Sequence, residues 1–152
     1  MKTNRILSRV LSGLLVALGF TGCDGSDTPE EYGTPSVKFQ VKGTVTDEAG
    51  NPIENIRVIV RGNYDNEPNP WMDDTIYTDR DGNFASKEMD SFGLGQQRAY
   101  FDDVDGEENG GKFRSQSVWL KDMESKQVEK EDGWYDGKYE FTARETLKKE
   151  AQ

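Results

Sequence analysis

The alternation from Val37 to Thr46 constrains this chain more than any other stretch. Val37, Phe39, Val41, Gly43 and Val45 fall on one side of a period of two. Lys38, Gln40, Lys42, Thr44 and Thr46 fall on the other. Successive side chains of a strand point to opposite faces, so this pattern predicts a strand with one face buried and one wet. Asp47-Glu48-Ala49-Gly50-Asn51-Pro52 breaks the alternation with residues that turns require, and a β-branched run follows from Ile53 to Val60. Val37–Arg61 therefore reads as two strands around a tight turn, with Ile56, Val58 and Val60 facing in and Arg57 and Arg61 facing out.

The rest of the body repeats short β-prone runs between turn signals. Residues 63–74 carry two prolines and four acids and read as a long loop. Trp71 within it is either a lid over the core or an exposed contact, and the lid is favoured because large aromatics are mostly buried. Thr75–Thr78 and Phe84–Ser86 flank Asp79-Arg80-Asp81-Gly82-Asn83, where Asp-Gly predicts a hairpin turn. Residues 87–97 read as loop and Arg98–Phe101 as strand. Phe113–Leu120 reads as strand, residues 121–132 as a short helix or ragged loop, and Lys138–Thr146 as a closing strand. About seven short strands and no long amphipathic helix predict an all-β fold, a single antiparallel β-sandwich over residues 37–147, with a frayed tail over 148–152.

Composition excludes several kinds of chemistry. The 152 residues contain no histidine, which removes Ser-His and Cys-His catalysis and histidine metal sites together. The single cysteine, Cys23, permits no disulfide within the chain. The formal charge is −10; the first 22 residues hold three basic residues and no acid, so the remainder stands at −13. Such a surface repels nucleic acid and anionic lipid. Aromatics make up 11% of the chain and need burial, which argues against disorder.

Lys2, Arg5 and Arg9 precede an apolar run, Val10–Phe20. Eleven residues are too few for a membrane span, which needs about 20. A basic start, a short apolar centre and small residues before a break describe an export signal over residues 1–22. Residues 23–36 follow as Cys23 and a tether rich in proline, glycine, serine and acids.

One acidic stretch invites a metal reading. Asp102, Asp103, Asp105, Glu107 and Glu108 place five carboxylates within seven residues, and their repulsion needs solvent, Lys112 and Arg114 or a cation to offset it. Oxygen ligands at alternate positions beside glycines suit calcium, which makes Asp103, Asp105 and Glu107 its candidate ligands. A standard helix–loop–helix calcium loop is excluded, because Phe101 and Lys112 would take its first and twelfth positions. The same test on Gly82 places Tyr77 first, so Asp79–Asn83 is turn chemistry. A solvated acidic turn is the favoured account of Asp102–Asn109.

Four resemblances follow from these residues. Phe20-Thr21-Gly22-Cys23 resembles the lipobox of bacterial lipoproteins, although Phe20 departs from the usual leucine. The resemblance implies cleavage before Cys23, lipid on Cys23 and attachment to a membrane. Asp24 and its acidic neighbours resemble the surface-export signals of Bacteroidetes lipoproteins, which favours an outer-membrane, surface-facing position over a periplasmic one. Gly43-Thr44-Val45-Thr46-Asp47, Gly50-Asn51-Pro52-Ile53, Ile56-Arg57-Val58 and Thr78–Phe84 resemble a carboxypeptidase regulatory-like, or transthyretin-like, β-sandwich. Gly22-Cys23-Asp24, Tyr32-Gly33-Thr34-Pro35, the Gly43–Ile53 motif and Asp103–Gly111 together resemble lipoproteins encoded beside a radical S-adenosylmethionine enzyme in Bacteroidetes. That resemblance implies a partner enzyme, with this chain as its possible substrate.

The expectation is thus a lipid-anchored, non-catalytic accessory module without a cofactor. The alternative is a binding module for a cation or a glycan, using the acidic turn or exposed aromatics such as Trp71 and Trp134. A carboxylate-based hydrolase ranks last, because 29 acids supply pairs freely and identify none.

Overall fold

The computed structural model describes residues 33–150, so the signal, Cys23 and most of the tether lie outside the described residues. Nine strands follow one another: β1 (Ser36–Asp47), β2 (Ile56–Val60), β3 (Asp74–Tyr77), β4 (Asn83–Ala85), β5 (Met89–Ser91), β6 (Arg98–Asp103), β7 (Gln116–Trp119), β8 (Glu124–Glu129) and β9 (Tyr135–Leu147). A short 3₁₀ turn, Leu120–Asp122, links β7 to β8.

The strands form two sheets. The first has the order β4-β1-β9-β8, with β5 also paired to β1; the second has the order β3-β2-β6-β7. The alternation in β1 does what it predicts, with Val37, Phe39, Val41 and Val45 all buried. On the second sheet Ile56, Val58, Val60, Ala99 and Phe101 answer them. Phe84 of the first sheet meets Phe101 of the second edge-on, with centroids 5.7 Å apart. Phe39 and Phe141 repeat that geometry within the first sheet at 6.4 Å. The all-β sandwich is therefore the fold.

Its wiring differs from the hairpin reading. β1 and β2 belong to opposite sheets, so Val37–Arg61 is a corner and not a hairpin. Thr75–Thr78 and Phe84–Ser86 likewise flank a crossing between sheets. The two crossings are built alike from Asp-x-x-Gly-Asn. Asp47 Oδ1 accepts the Ala49 and Asn51 amides, and Asp79 Oδ1 accepts those of Asp81 and Asn83. Gly50 and Gly82 occupy the positive-φ position each turn needs, at 85° and 71°. The turns touch through β1, where the Val45 amide donates to the Gly82 carbonyl and the Ile53 amide to the Val45 carbonyl.

The centre of the first sheet is parallel. β1 pairs with β9 from Ser36↔Tyr135 to Asp47↔Leu147, whereas the remaining strand pairs are antiparallel. Gly43 lies opposite Ala143, and a Cβ there would run into the Ala143 carbonyl.

Three expected loops carry more order than their composition predicts. Residues 87–97 contain β5, and residues 121–132 contain β8 in place of a helix or ragged loop. β8 is exposed at every position, so it has no apolar face to announce it. The tail is held through Glu150: the Arg114 amide donates to Lys148 and the Glu150 amide to Lys112. Trp71 is 92% exposed and is no lid. Its loop is organised by Asp73, which pairs with Arg61 and accepts the Gly62 and Asn69 amides.

Candidate functional site

The acidic turn is closed on itself. Asp103 Oδ1 accepts the Asp105 and Gly106 amides, and its Oδ2 accepts the Phe113 amide at 2.8 Å. Asp105 Oδ2 accepts the side-chain amides of Asn55 (3.0 Å) and Asn109 (2.6 Å). Burial pushes the Asp105 carboxyl up, but those two amides outweigh it and hold the group below its ordinary value. Glu107 is exposed, and Lys112 pairs with Glu150. Asp103 turns both oxygens to loop amides, Asp105 turns Oδ2 to two side-chain amides, and Glu107 faces solvent. Among the described residues no three acidic or thiol groups converge as a metal site. An acid count says nothing of where the oxygens point.

A cleft of about 520 Å³ opens at another place, where β8 and β9 approach the Leu120 turn. Its volume falls in the range of small-ligand pockets. One wall comes from Ser125, Asp136 and Tyr139, with Glu131 beside them; Leu94, Gly95, Leu120 and Lys121 form the other. Phe141 and Val37 close the floor, both nearly fully buried. The polar groups are therefore two carboxylates, two hydroxyls and one ammonium set on an apolar base.

A buried glutamine sets the second wall. Gln97 is fully buried, donates to Ser91 Oγ and the Gly93 carbonyl, and accepts the Gly95 amide through Oε1. Its carbonyl then receives the Leu120 amide at 3.0 Å. One side chain thus fixes the loop carrying Leu94 and Gly95, and its own backbone fixes the turn carrying Leu120 and Lys121. No local motif marks this arrangement. A glutamine in a loop otherwise rich in serine and glycine was the available signal.

Lys121 joins the cleft to the outer face of the second sheet. Alternation puts Arg57 of β2, Arg61 just past its end, and Arg98, Tyr100 and Asp102 of β6 on that face, beside Ser117 and Trp119 of β7. The Arg98 guanidinium lies over the Trp119 ring, 3.5 Å from its centroid, and Lys121 Nζ stands 5.5 Å from the same ring. Arg61 stands over Tyr100 at 5.1 Å. Arg57 pairs with Asp102 and Arg61 with Asp73. Arg98 and Lys121 have no carboxylate partner among the described residues. The buried side-chain polar atoms without a partner among those residues are Arg57 Nε, Arg61 Nε, Arg98 Nε and Asn66 Oδ1. All four belong to this face, Asn66 through its bond to the Tyr100 hydroxyl.

No protein-family model matches the chain, and no curated protein matches it. Solved structures do. Catechol 1,2-dioxygenase from Pseudomonas arvilla C-1 aligns at a TM-score of 0.50 and 12% identity, over 80% of this chain and 55% of that one. The likeness is one of fold. 3-Chlorocatechol 1,2-dioxygenase from Rhodococcus opacus 1CP aligns at 0.47 and 12% identity, over 80% and 62% of the two chains. The dioxygenase domain of a carbohydrate-binding fusion from Streptomyces sp. SirexAA-E aligns at 0.48 and 14%, over 78% and 84%. The chain spans about six-tenths of the length of the first of these catechol dioxygenase relatives. At such identities the likeness carries no activity across.

Proposed function

We propose that this chain is an exported, lipid-anchored, non-catalytic binding module, held to the outer membrane through lipid on Cys23. The cleft carries this reading. It is concave, of ligand size, apolar at its base and fringed by polar groups of both signs. With no histidine in the sequence and its only cysteine at position 23, the cleft has hydroxyls, carboxylates and an ammonium to bind with. The apolar run ending at Cys23 supplies the anchor. Acyl chains contribute about 0.8 kcal/mol per buried methylene, so more than one makes the attachment durable.

The functional link to a radical S-adenosylmethionine enzyme belongs to the same proposal. It rests on the motifs at residues 22–24, 32–35, 43–53 and 103–111, and it makes this chain a candidate substrate. Intact mass of the native protein tests both parts. Cleavage before Cys23 with added acyl mass is expected, and an uncut, unacylated chain refutes the anchor. A mass difference between cells with and without the enzyme is expected if the chain is modified. Identical masses refute modification.

A further inference from the structure

We propose that Lys121 at the rim of the cleft, with Arg98 and Trp119 beside it, seats an acidic oligosaccharide, a chain of sugar hydroxyls bearing carboxylates. The inference rests on the binding-module reading and gives it a ligand class.

Charge comes first. The chain has an excess of acid, and its other two outer-face arginines are closed by Asp102 and Asp73. Arg98 and Lys121 both approach one indole and have no carboxylate partner among the described residues. Arg98 lies over the ring, and its Nη1 reaches only Ser117 Oγ, at 3.2 Å. A guanidinium held by a ring is pre-organised for a planar carboxylate. Lys121 is exposed, with its Nζ 5.5 Å from the centre of that ring.

The cleft supplies the second half. Glu131 and Asp136 are acceptors, and Ser125 and Tyr139 both donate and accept. Sugar hydroxyls donate to such carboxylates, and the half-buried Tyr139 ring offers an apolar surface with a polar tip. A neutral glycan leaves the two cations unmatched. Duplex DNA brings closely spaced phosphates but no free sugar hydroxyls along its strands to donate to the two carboxylates of the cleft. A stable protein partner covers about 800 Å² on each side, far more than two free cations and a cleft offer.

The test uses the full chain in detergent, titrated calorimetrically with oligogalacturonate at low and high salt. Dextran of equal length and duplex DNA are the other arms. Oligogalacturonate is expected to bind, to weaken as salt rises, and to lose at least about tenfold in affinity in Lys121→Gln and in Arg98→Gln. Because Arg98 packs on Trp119, Lys121→Gln, an exposed change, carries the test if Arg98→Gln lowers the urea midpoint. Absence of binding to oligogalacturonate overturns the proposal, as does affinity unchanged in Lys121→Gln. Duplex DNA binding as tightly as oligogalacturonate overturns it too, since charge alone would then suffice. Binding of dextran but not of oligogalacturonate overturns the seat and leaves the binding module standing. Shortening of bound oligogalacturonate refutes the non-catalytic reading and leaves the seat standing.

Discussion

Replacing Thr78 with valine removes one oxygen and leaves the shape of the side chain. Thr78 is 4% exposed, at the end of β3. Its Oγ1 donates to the Ile53 carbonyl at 2.7 Å and accepts the Ile56 amide at 2.9 Å. Backbone bonds flank it, Thr78 to Ile56 and Asn55 to Thr78, each at 3.0 Å. The hydroxyl therefore serves two buried backbone groups at the corner that carries the chain from β1 to β2. Valine leaves both without a partner. A buried polar group stranded in this way costs about 1–3 kcal/mol, so Thr78→Val should cost roughly 2–6 kcal/mol. Serine keeps the oxygen and drops a methyl, a loss of roughly 1 kcal/mol. The whole fold has only about 5–15 kcal/mol to lose. In urea, at a slope of about 1–3 kcal/mol per molar, valine should move the midpoint by roughly 1 M or more and serine by much less, with the slope unchanged. If serine destabilises more than valine, or valine shifts nothing, the corner is held by packing and the hydrogen-bond argument is wrong.

Glu88 lies between Lys38 of β1 and Lys138 of β9, and its bonds to Lys138 and then Lys38 depress its pKa to about 2. A depressed folded value means that its stabilising effect is complete above the ordinary carboxyl range and is lost as pH falls from about 4.5 through about 2. Glu88→Gln should therefore flatten the acid limb of the stability curve between those values, and two superimposable curves would show that the triad contributes nothing. Gly43→Ala should widen the β1–β9 spacing and lower the thermal midpoint, whereas the same change at an open strand position would raise it. An unchanged midpoint would mean that the parallel pair yields at little cost.

What the sequence disclosed follows from what alternation measures, which is burial and not partnership. β1 was legible because one face is dry and the other wet. The same pattern could not say that β1 and β2 sit in opposite sheets, nor that β9 lies parallel beside β1. β8 carried no pattern because neither of its faces is buried, and only its pairing with β9 makes it a strand. The Asp-x-x-Gly-Asn turns were legible as turns but not as crossings. The acidic turn was conspicuous in the sequence and is internally satisfied in space. The cleft was invisible, because Val37, Leu94, Lys121 and Phe141 come from four distant segments, two of them tied together by the buried Gln97. Arg98, Trp119 and Lys121 were likewise read as strand and loop residues, since only the β6–β7 register brings them together.

The parallel pairing of β1 with β9 also sets when this protein can fold. Gly43 and Ala143, partners at the centre of the first sheet, are 100 residues apart in the chain. Closing so long a loop is entropically unfavourable, and folds dominated by such contacts form slowly, in about milliseconds to seconds. β1 leaves the ribosome first and finds β4 and β5 early, but one of its edges waits for the last strand. Until Tyr135–Leu147 is made, that edge and all of β8 lack their partner. Until then the chain lacks its central ladder, and the thirteen residues of β9 close the fold last.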